Sequence, residues 1–204
     1  MNLPNFLTIF RMALVPVFIV FFYCGHSEAV SYGPGGARLY FFIAFAVFLI
    51  ASATDAVDGH IARKHNLITN FGKLMDPLAD KVLTTAAFIV FVDAHIIPAW
   101  MVIVILAREF IITGLRGVAA SEGVVLAAGL SGKLKTVFQM VAICLILFAT
   151  ALAGEATERG FGTLTGFGAF VSGAAAICLW AAVISTVYSG IEYLWKGRKL
   201  LNMK

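Results

Sequence analysis

The sequence predicts an all-α integral membrane protein with six transmembrane helices. Hydrophobic residues make up 61% of its 204 residues and charged residues only 13%, whereas soluble domains are about 45–50% apolar and about 25% charged. Six hydrophobic runs are each roughly long enough to cross ~30 Å of hydrocarbon. We expect helices in these runs because lipid offers no water to satisfy backbone groups, and because strand-like alternation is absent.

Turn-forming segments rich in glycine and proline separate the runs. The runs cover residues 6–23, 39–57, 77–92, 98–118, 134–153 and 167–195. The separating segments are Gly33 to Gly36, Asp93 to Pro98, Ser121 to Gly132 and Gly160 to Gly168. The third run is the shortest, so its helix is expected to extend back toward Gly72 and to protrude from the membrane. Because no soluble domain or repeat interrupts the runs, we expect one membrane domain over residues 1–204.

Basic residues are distributed unevenly between the predicted loops. With the N-terminus inside, the outer loops contain only Arg38 and Arg159 from the basic set. The inner side carries Arg63, Lys64, Lys73, Lys81, Arg116, Lys133, Lys135, Lys196, Arg198, Lys199 and Lys204. This bias predicts that both termini face the cytoplasm, and we expect a bacterial-type inner membrane. The net charge of +4 is thereby explained by membrane orientation, so no nucleic-acid partner is expected.

Four of the chain's 11 acidic residues are aspartates between positions 55 and 80. Asp55 and Asp58 lie near the inner end of the second run, and Asp76 and Asp80 lie at the start of the third. Spacings of three and four residues put each pair on one helix face. Two helices joined by a short inner loop are antiparallel neighbours, so all four carboxylates can converge. Oxygen-only ligands in that number favour Mg²⁺, with Mn²⁺ as a substitute.

The alternative for these acids is a solvated helix end, and Asp76 before Pro77 fits a simple helix cap. Small residues accompany the aspartates: Gly59 and Gly72 leave room for a ligand near the backbone, although they also allow close helix packing. Arg63 is able to make a paired contact with a phosphate.

A second set of charged residues predicts a site for an anionic acceptor. Arg108 and Arg116 are eight residues apart on the fourth run, so they share roughly one helix face, while Glu109 is displaced from it. The cations Lys133 and Lys135 open the fifth run, and Lys81 follows Asp80. Ordinary flanking charge is the alternative for Lys81 and Lys135. It explains Arg108 less well, because a charge inside an apolar run is costly.

The pattern Asp55-x2-Asp58-Gly59-x2-Ala62-Arg63-x8-Gly72-x3-Asp76-x3-Asp80 resembles the signature of the CDP-alcohol phosphotransferases without any departure. Further stretches are similar to the branch of this family that uses glycerol 3-phosphate. These stretches are Asn2-Leu3-Pro4-Asn5-x-Leu7-Thr8-x2-Arg11, Asp76-Pro77-Leu78-Ala79-Asp80-Lys81, Ala107-Arg108-Glu109 and Gly132-Lys133-x-Lys135-Thr136. They are less specific than the main pattern.

The resemblance implies a homodimeric six-helix membrane enzyme with a polar cavity that opens to the cytoplasm. Its activity would be phosphatidyl transfer from CDP-diacylglycerol to glycerol 3-phosphate within a membrane of lipids. By the resemblance, the two-metal centre is held by Asp55, Asp58, Asp76 and Asp80, and Asp80 is the general base. It also implies that the CDP part contacts Gly59, Arg63, Thr69 and Gly72, with Asn5 and Thr8. The acceptor would bind to Lys81, Arg108, Glu109, Arg116, Lys133 and Lys135.

Three other readings of the sequence stay open. A divalent-cation transporter would use the aspartates as a pathway, but it should place acids near the midplane of broken helices. A noncatalytic membrane interaction protein leaves the four-aspartate set without a purpose. A sibling phosphatidyltransferase would use another acceptor, such as serine or an inositol phosphate, and physics alone does not decide against it.

Overall fold

The computed structural model describes residues 3–65, 70–121, 130–156 and 164–201. The side chains of residues 3–5, 55–65, 70–77, 80, 120–121, 130–131 and 196–201 lie outside this description. Within it there are six α-helices and no strands, which confirms the predicted all-α fold. The helices are α1 (Leu3–Tyr32), α2 (Pro34–His65), α3 (Asn70–Asp93), α4 (Ala99–Ser121), α5 (Leu130–Ala153) and α6 (Phe167–Leu201).

Four stretches of the described helices are long and apolar enough to cross a membrane. They are Phe6–Tyr32, Pro34–Thr54, Gly132–Ala153 and Phe167–Trp195. The other two helices interrupt their apolar sequence with charges: α4 contains Arg108, Glu109 and Arg116, and α3 contains Asp80 and Lys81. The chain is therefore a multi-pass membrane protein.

Helix ends differ most from the prediction between the first two helices. α1 continues well past residue 23 and α2 begins at Pro34, so that only Gly33 separates the two helices. Gly33 adopts φ 87°, and its N–H donates to the Ala29 carbonyl at 3.1 Å. Proline lacks an N–H and suits the first turn of a helix. Hydropathy marks the part of a helix that contacts lipid, whereas backbone hydrogen bonds continue beyond it. The predicted extension of α3 toward Gly72 is confirmed, because α3 begins at Asn70.

The chain divides into two compact units. The first unit is Met1–Ile97 with Ile143–Ser172, and the second is Pro98–Ala142 with Gly173–Lys204. The first unit thus contains α1, α2, α3, the second half of α5 and the start of α6. The second contains α4, the first half of α5 and most of α6. A single domain over residues 1–204 stays a prediction.

Aromatic side chains form the core of the first unit, where α1 packs against α2 and α3. The ring of Phe22 on α1 lies 5.5 Å from that of Phe41 on α2 and 6.0 Å from that of Phe91 on α3, between centroids. Phe18 and Phe48 pair at 5.9 Å, and all five side chains are buried. Such ring pairs add about 0.5–1.5 kcal/mol each beyond their buried area. This core fixes α2 and α3 at the ends farthest from the aspartates.

Gly154, just after α5, marks a close approach to the start of α2 within the first unit. It adopts φ 71°, and its N–H donates to the Thr150 carbonyl at 2.8 Å. A Cβ at this position would lie 2.4 Å from the backbone oxygen of Pro34 and 2.7 Å from Cγ of Arg38. Only glycine fits, because both the backbone angle and the space exclude a side chain.

We predict that Gly154→Ala lowers the thermal unfolding midpoint of the detergent-solubilised protein. The left-handed backbone alone costs an L-residue roughly 1–2 kcal/mol, and the contact with Pro34 adds to that. Gly166→Ala tests the backbone strain alone, without a steric contact. Gly166 has φ 55°, and a Cβ there would have nothing within 4 Å. Gly173→Ala, at an open helical position, is the neutral control. If Gly154→Ala and Gly173→Ala have the same thermal unfolding midpoint, the close approach between Gly154 and Pro34 is wrong.

Candidate active site

The buried face of α2 has a regular spacing that leads to two of the aspartates. The buried residues are Ala37, Phe41, Ala44, Phe48 and Ala51, each at most 1% exposed. Their alternating steps of four and three residues are typical of a helix face packed against neighbouring helices. The helix continues to His65, and the next positions in the same spacing carry Asp55 and Asp58.

The same spacing on α3 leads to the other two aspartates. Leu83, Ala87 and Val90 are buried, at most 2% exposed, in steps of four and three residues. The preceding positions of this series carry Asp80 and Asp76, and α3 is helical through both of them. By register, the aspartates lie in line with the buried faces of their helices. On α2 they follow the buried residues, and on α3 they precede them.

Most of the CDP-binding prediction falls outside the described part of the chain. Thr69 lies outside it entirely, and the side chains of Arg63 and the four aspartates are not described. Gly59 and Gly72 occupy helical positions on α2 and α3. The donor set suits a hard divalent cation, because it consists of carboxylates only. Among the residues whose side chains are described, no group of three or more His, Cys, Asp or Glu could hold a metal ion. The metal and nucleotide roles stay predictions.

α1 contributes two buried polar residues to the first unit. Thr8 and Arg11 are both 0% exposed and, three residues apart, share one face of α1. Thr8 was among the predicted residues, while the side chain of Asn5 lies outside the description. Arg11 was not among the predicted functional residues. Its signal was available, because a charge within an apolar run of membrane length is a functional candidate by default.

A cationic pocket of about 450 Å³ lies in the second unit. It is lined by Arg108, Ile112, Arg116, Gly132, Lys133, Thr136, Val137 and Tyr193. Three of these residues are basic, and no acidic residue lines the pocket among those described. Such a pocket attracts anions, and two arginines are well suited to a phosphate because of their planar donor geometry.

Helix periodicity explains which residues reach this pocket. Arg108, Ile112 and Arg116 are spaced four residues apart on α4, so they form one row on its surface. The sequence spacing predicted a shared face for the two arginines, and both line the pocket. Lys133, also a predicted acceptor residue, lines it from the start of α5.

Glu109 and Lys135 form an ion pair between α4 and α5. Their side chains are 12% and 3% exposed, so each charge offsets the other in a poorly solvated place. Neither residue lines the cationic pocket, and their assignment to the acceptor stays a prediction. Lys81 lies on α3 in the first unit and is partly exposed; its role also stays a prediction.

Arg108 is anchored to α6 by two contacts that the sequence analysis did not foresee. Its Nε donates to the Ser189 hydroxyl oxygen at 3.1 Å, and its guanidinium carbon lies 5.7 Å from the centroid of the Tyr193 ring. Ser189 and Tyr193 are far from Arg108 in sequence and belong to no charged motif. The only sequence signal was the presence of their hydroxyl groups in a largely apolar run.

The chain is similar to known proteins over nearly its whole length. Residues 1–188 match the family described as CDP-alcohol phosphatidyltransferase. A CDP-diacylglycerol--glycerol-3-phosphate 3-phosphatidyltransferase of Bacillus subtilis is 43% identical, over 98% of this chain and 99% of that protein. Proteins of the same name from Rickettsia typhi and Haemophilus influenzae are each 35% identical. The match covers 94% of both chains for the first, and 100% of this chain and 98% of the relative for the second.

The complete aspartate pattern, the six helices and relatives that match over nearly their whole length lead to one conclusion: the chain belongs to the CDP-alcohol phosphatidyltransferase family.

Proposed function

We propose that this protein transfers the phosphatidyl group of CDP-diacylglycerol to glycerol 3-phosphate, giving phosphatidylglycerophosphate and CMP for phosphatidylglycerol and cardiolipin synthesis. The observation that carries the acceptor assignment is the pocket lined by Arg108, Arg116 and Lys133. The names of the similar proteins specify the same donor and acceptor.

The charge of the pocket discriminates between acceptors. Glycerol 3-phosphate carries a phosphate monoester, which matches a pocket lined by three cations and, among the described residues, by no acid. Serine carries one positive and one negative group, so its ammonium would be repelled there. An inositol phosphate also carries a phosphate, and for this acceptor the names of the relatives, rather than charge, favour glycerol 3-phosphate.

Asp55, Asp58, Asp76 and Asp80 are the residues that would hold Mg²⁺, or Mn²⁺ in its place. When bound, such ions neutralise diphosphate charge and increase the acidity of a nearby hydroxyl. Gly59, Arg63, Thr69 and Gly72 are assigned to the CDP part, with Asn5 and Thr8 from α1. These assignments rest on the sequence pattern and on the helical register of α2 and α3.

In the proposed reaction Asp80 accepts the proton of the acceptor hydroxyl, whose oxygen then attacks the lipid-side phosphorus. The bond from that phosphorus to the CMP oxygen breaks, and Arg63 stabilises the departing phosphate. Arg108, Arg116 and Lys133 hold the phosphate of glycerol 3-phosphate throughout. Positioning and charge stabilisation account for most of the acceleration in phosphoryl transfer.

We also propose a bacterial inner-membrane location with both termini in the cytoplasm and the active site facing the cytoplasm. The support is the excess of basic residues on the predicted inner side and the bacterial relatives. A polar cavity that opens to the cytoplasm and a homodimer are proposed from the family resemblance.

The proposed function is tested by the turnover of the purified full-length protein with CDP-diacylglycerol and a panel of acceptors. We expect glycerol 3-phosphate to support CMP release at least roughly tenfold faster than glycerol at equal concentration, because charge-assisted contacts contribute about 1.5–3 kcal/mol each. Serine and inositol phosphate complete the panel. Faster turnover with serine than with glycerol 3-phosphate would show that the acceptor assignment is wrong.

A second test separates the proposed base from the metal ligands. Asp80→Asn keeps an oxygen ligand but cannot accept a proton, so turnover should fall at least ~10²-fold, as for other general bases. Metal-dependent binding of CDP-diacylglycerol should persist in this variant. Asp58→Asn should instead weaken metal affinity, so that excess Mg²⁺ or Mn²⁺ partly restores turnover.

Metal titrations of turnover and of CDP-diacylglycerol binding check both variants. The roles are reversed if excess metal restores Asp80→Asn but not Asp58→Asn. Full activity in both variants would place the chemistry elsewhere in the protein.

A further inference from the structure

Arg108 lies between two buried isoleucines on α4. Ile105 and Ile112, three residues before it and four after it, are 0% and 5% exposed. A long flexible side chain at such a position loses conformational freedom when it binds a ligand, unless its neighbours already hold it in place. The contacts of Arg108 within the second unit therefore determine how far its guanidinium is preorganised to bind an anion.

The Ser189 hydroxyl is oriented to receive Arg108. It donates to the Thr186 carbonyl one turn earlier on α6 at 3.2 Å, which leaves its oxygen lone pairs to accept from Arg108 Nε at 3.1 Å. Ser189 is 0% exposed, so water does not compete for this oxygen. The bond thus fixes the edge of the guanidinium that faces α6.

Two further residues of α6 confine the same side chain. The Tyr193 ring, four residues after Ser189, lies 5.7 Å from the guanidinium carbon, a cation–π distance. Gly190 leaves room for the aliphatic stem, since a Cβ there would lie 3.3 Å from Arg108 Cγ. At the tip of the side chain, Arg108 Nη2 would lie 3.5 Å from a Cβ added to Gly132. Gly132 lines the cationic pocket.

We infer that Ser189 and Tyr193 are positioning residues that hold the guanidinium of Arg108 with its terminal N–H groups at the cationic pocket, and so set the affinity for a phosphate-bearing acceptor. The inference rests on the proposed function, in which that pocket binds the phosphate of glycerol 3-phosphate. Ser189 acts through Arg108, while Tyr193 both packs against the guanidinium and lines the pocket. Neither residue takes part in the transfer itself.

Steady-state kinetics of the full-length protein test this inference. Ser189→Ala should raise the KM for glycerol 3-phosphate roughly threefold to tenfold, because an unanchored arginine must be ordered when the anion binds. The KM for CDP-diacylglycerol should change much less. Tyr193→Leu, which removes the ring, should raise the KM for glycerol 3-phosphate more than Tyr193→Phe, which keeps it.

Ser185→Ala is the matched control. The Ser185 hydroxyl also donates to a carbonyl three residues earlier on α6, that of Ala182, at 3.1 Å, but no contact with Arg108 is observed. We expect no change in either KM for this variant. A double-mutant cycle adds a second readout: in an Arg108→Ala background, Ser189→Ala should have no further effect on the KM for glycerol 3-phosphate.

An unchanged KM in Ser189→Ala, equal effects of Ser185→Ala and Ser189→Ala, or additive effects in the double mutant would each overturn the inference. All three outcomes require that the wild type uses glycerol 3-phosphate. If the wild type releases no CMP with that acceptor, the proposed function fails first, and the two failures are thereby distinguished.

Discussion

The structure depends on one constraint: a charge within an apolar helix is stable only where a partner or a ligand compensates it. Glu109 and Lys135 satisfy this constraint by pairing with each other. Arg108 satisfies part of it through Ser189 and Tyr193. Its terminal nitrogens, with Arg116 and Lys133, remain on the wall of a pocket without a described acidic residue. In the proposed function, the phosphate of glycerol 3-phosphate completes the compensation there.

The same constraint explains where polar residues lie along the buried helix faces. In the first unit, the buried face of α1 carries Thr8 and Arg11 at one end and phenylalanines at the other. In the second unit, the buried face of α6 begins with Ala175 and Leu179 and ends with Thr186, Ser189 and Tyr193. Each face therefore has an apolar part that provides packing energy and a part that carries buried polar groups. Packing at one end lets the other end tolerate polar groups.

Much of this arrangement could be predicted from the sequence, because the hydropathy and the spacing of residues along a helix determine it. The six helices follow from hydropathy, and the shared face of Arg108 and Arg116 follows from their spacing on α4. Helix ends such as Tyr32 could not be predicted, since backbone hydrogen bonding continues past the apolar segment. The partners of Arg108 could not be predicted either, because Ser189 and Tyr193 meet it only through tertiary packing. The pairing of Lys135 with Glu109 likewise depends on how α4 and α5 pack.

The most direct test of this account is the kinetic effect of Arg108→Ala, with Arg38→Ala as a control that removes the same charge from an exposed position on α2. The account predicts that Arg108→Ala raises the KM for glycerol 3-phosphate at least roughly tenfold, the loss of one charge-assisted contact, and leaves the KM for CDP-diacylglycerol nearly unchanged. Arg38→Ala should alter neither. An unchanged KM for glycerol 3-phosphate in Arg108→Ala, or an equal rise in both KM values, would contradict the account.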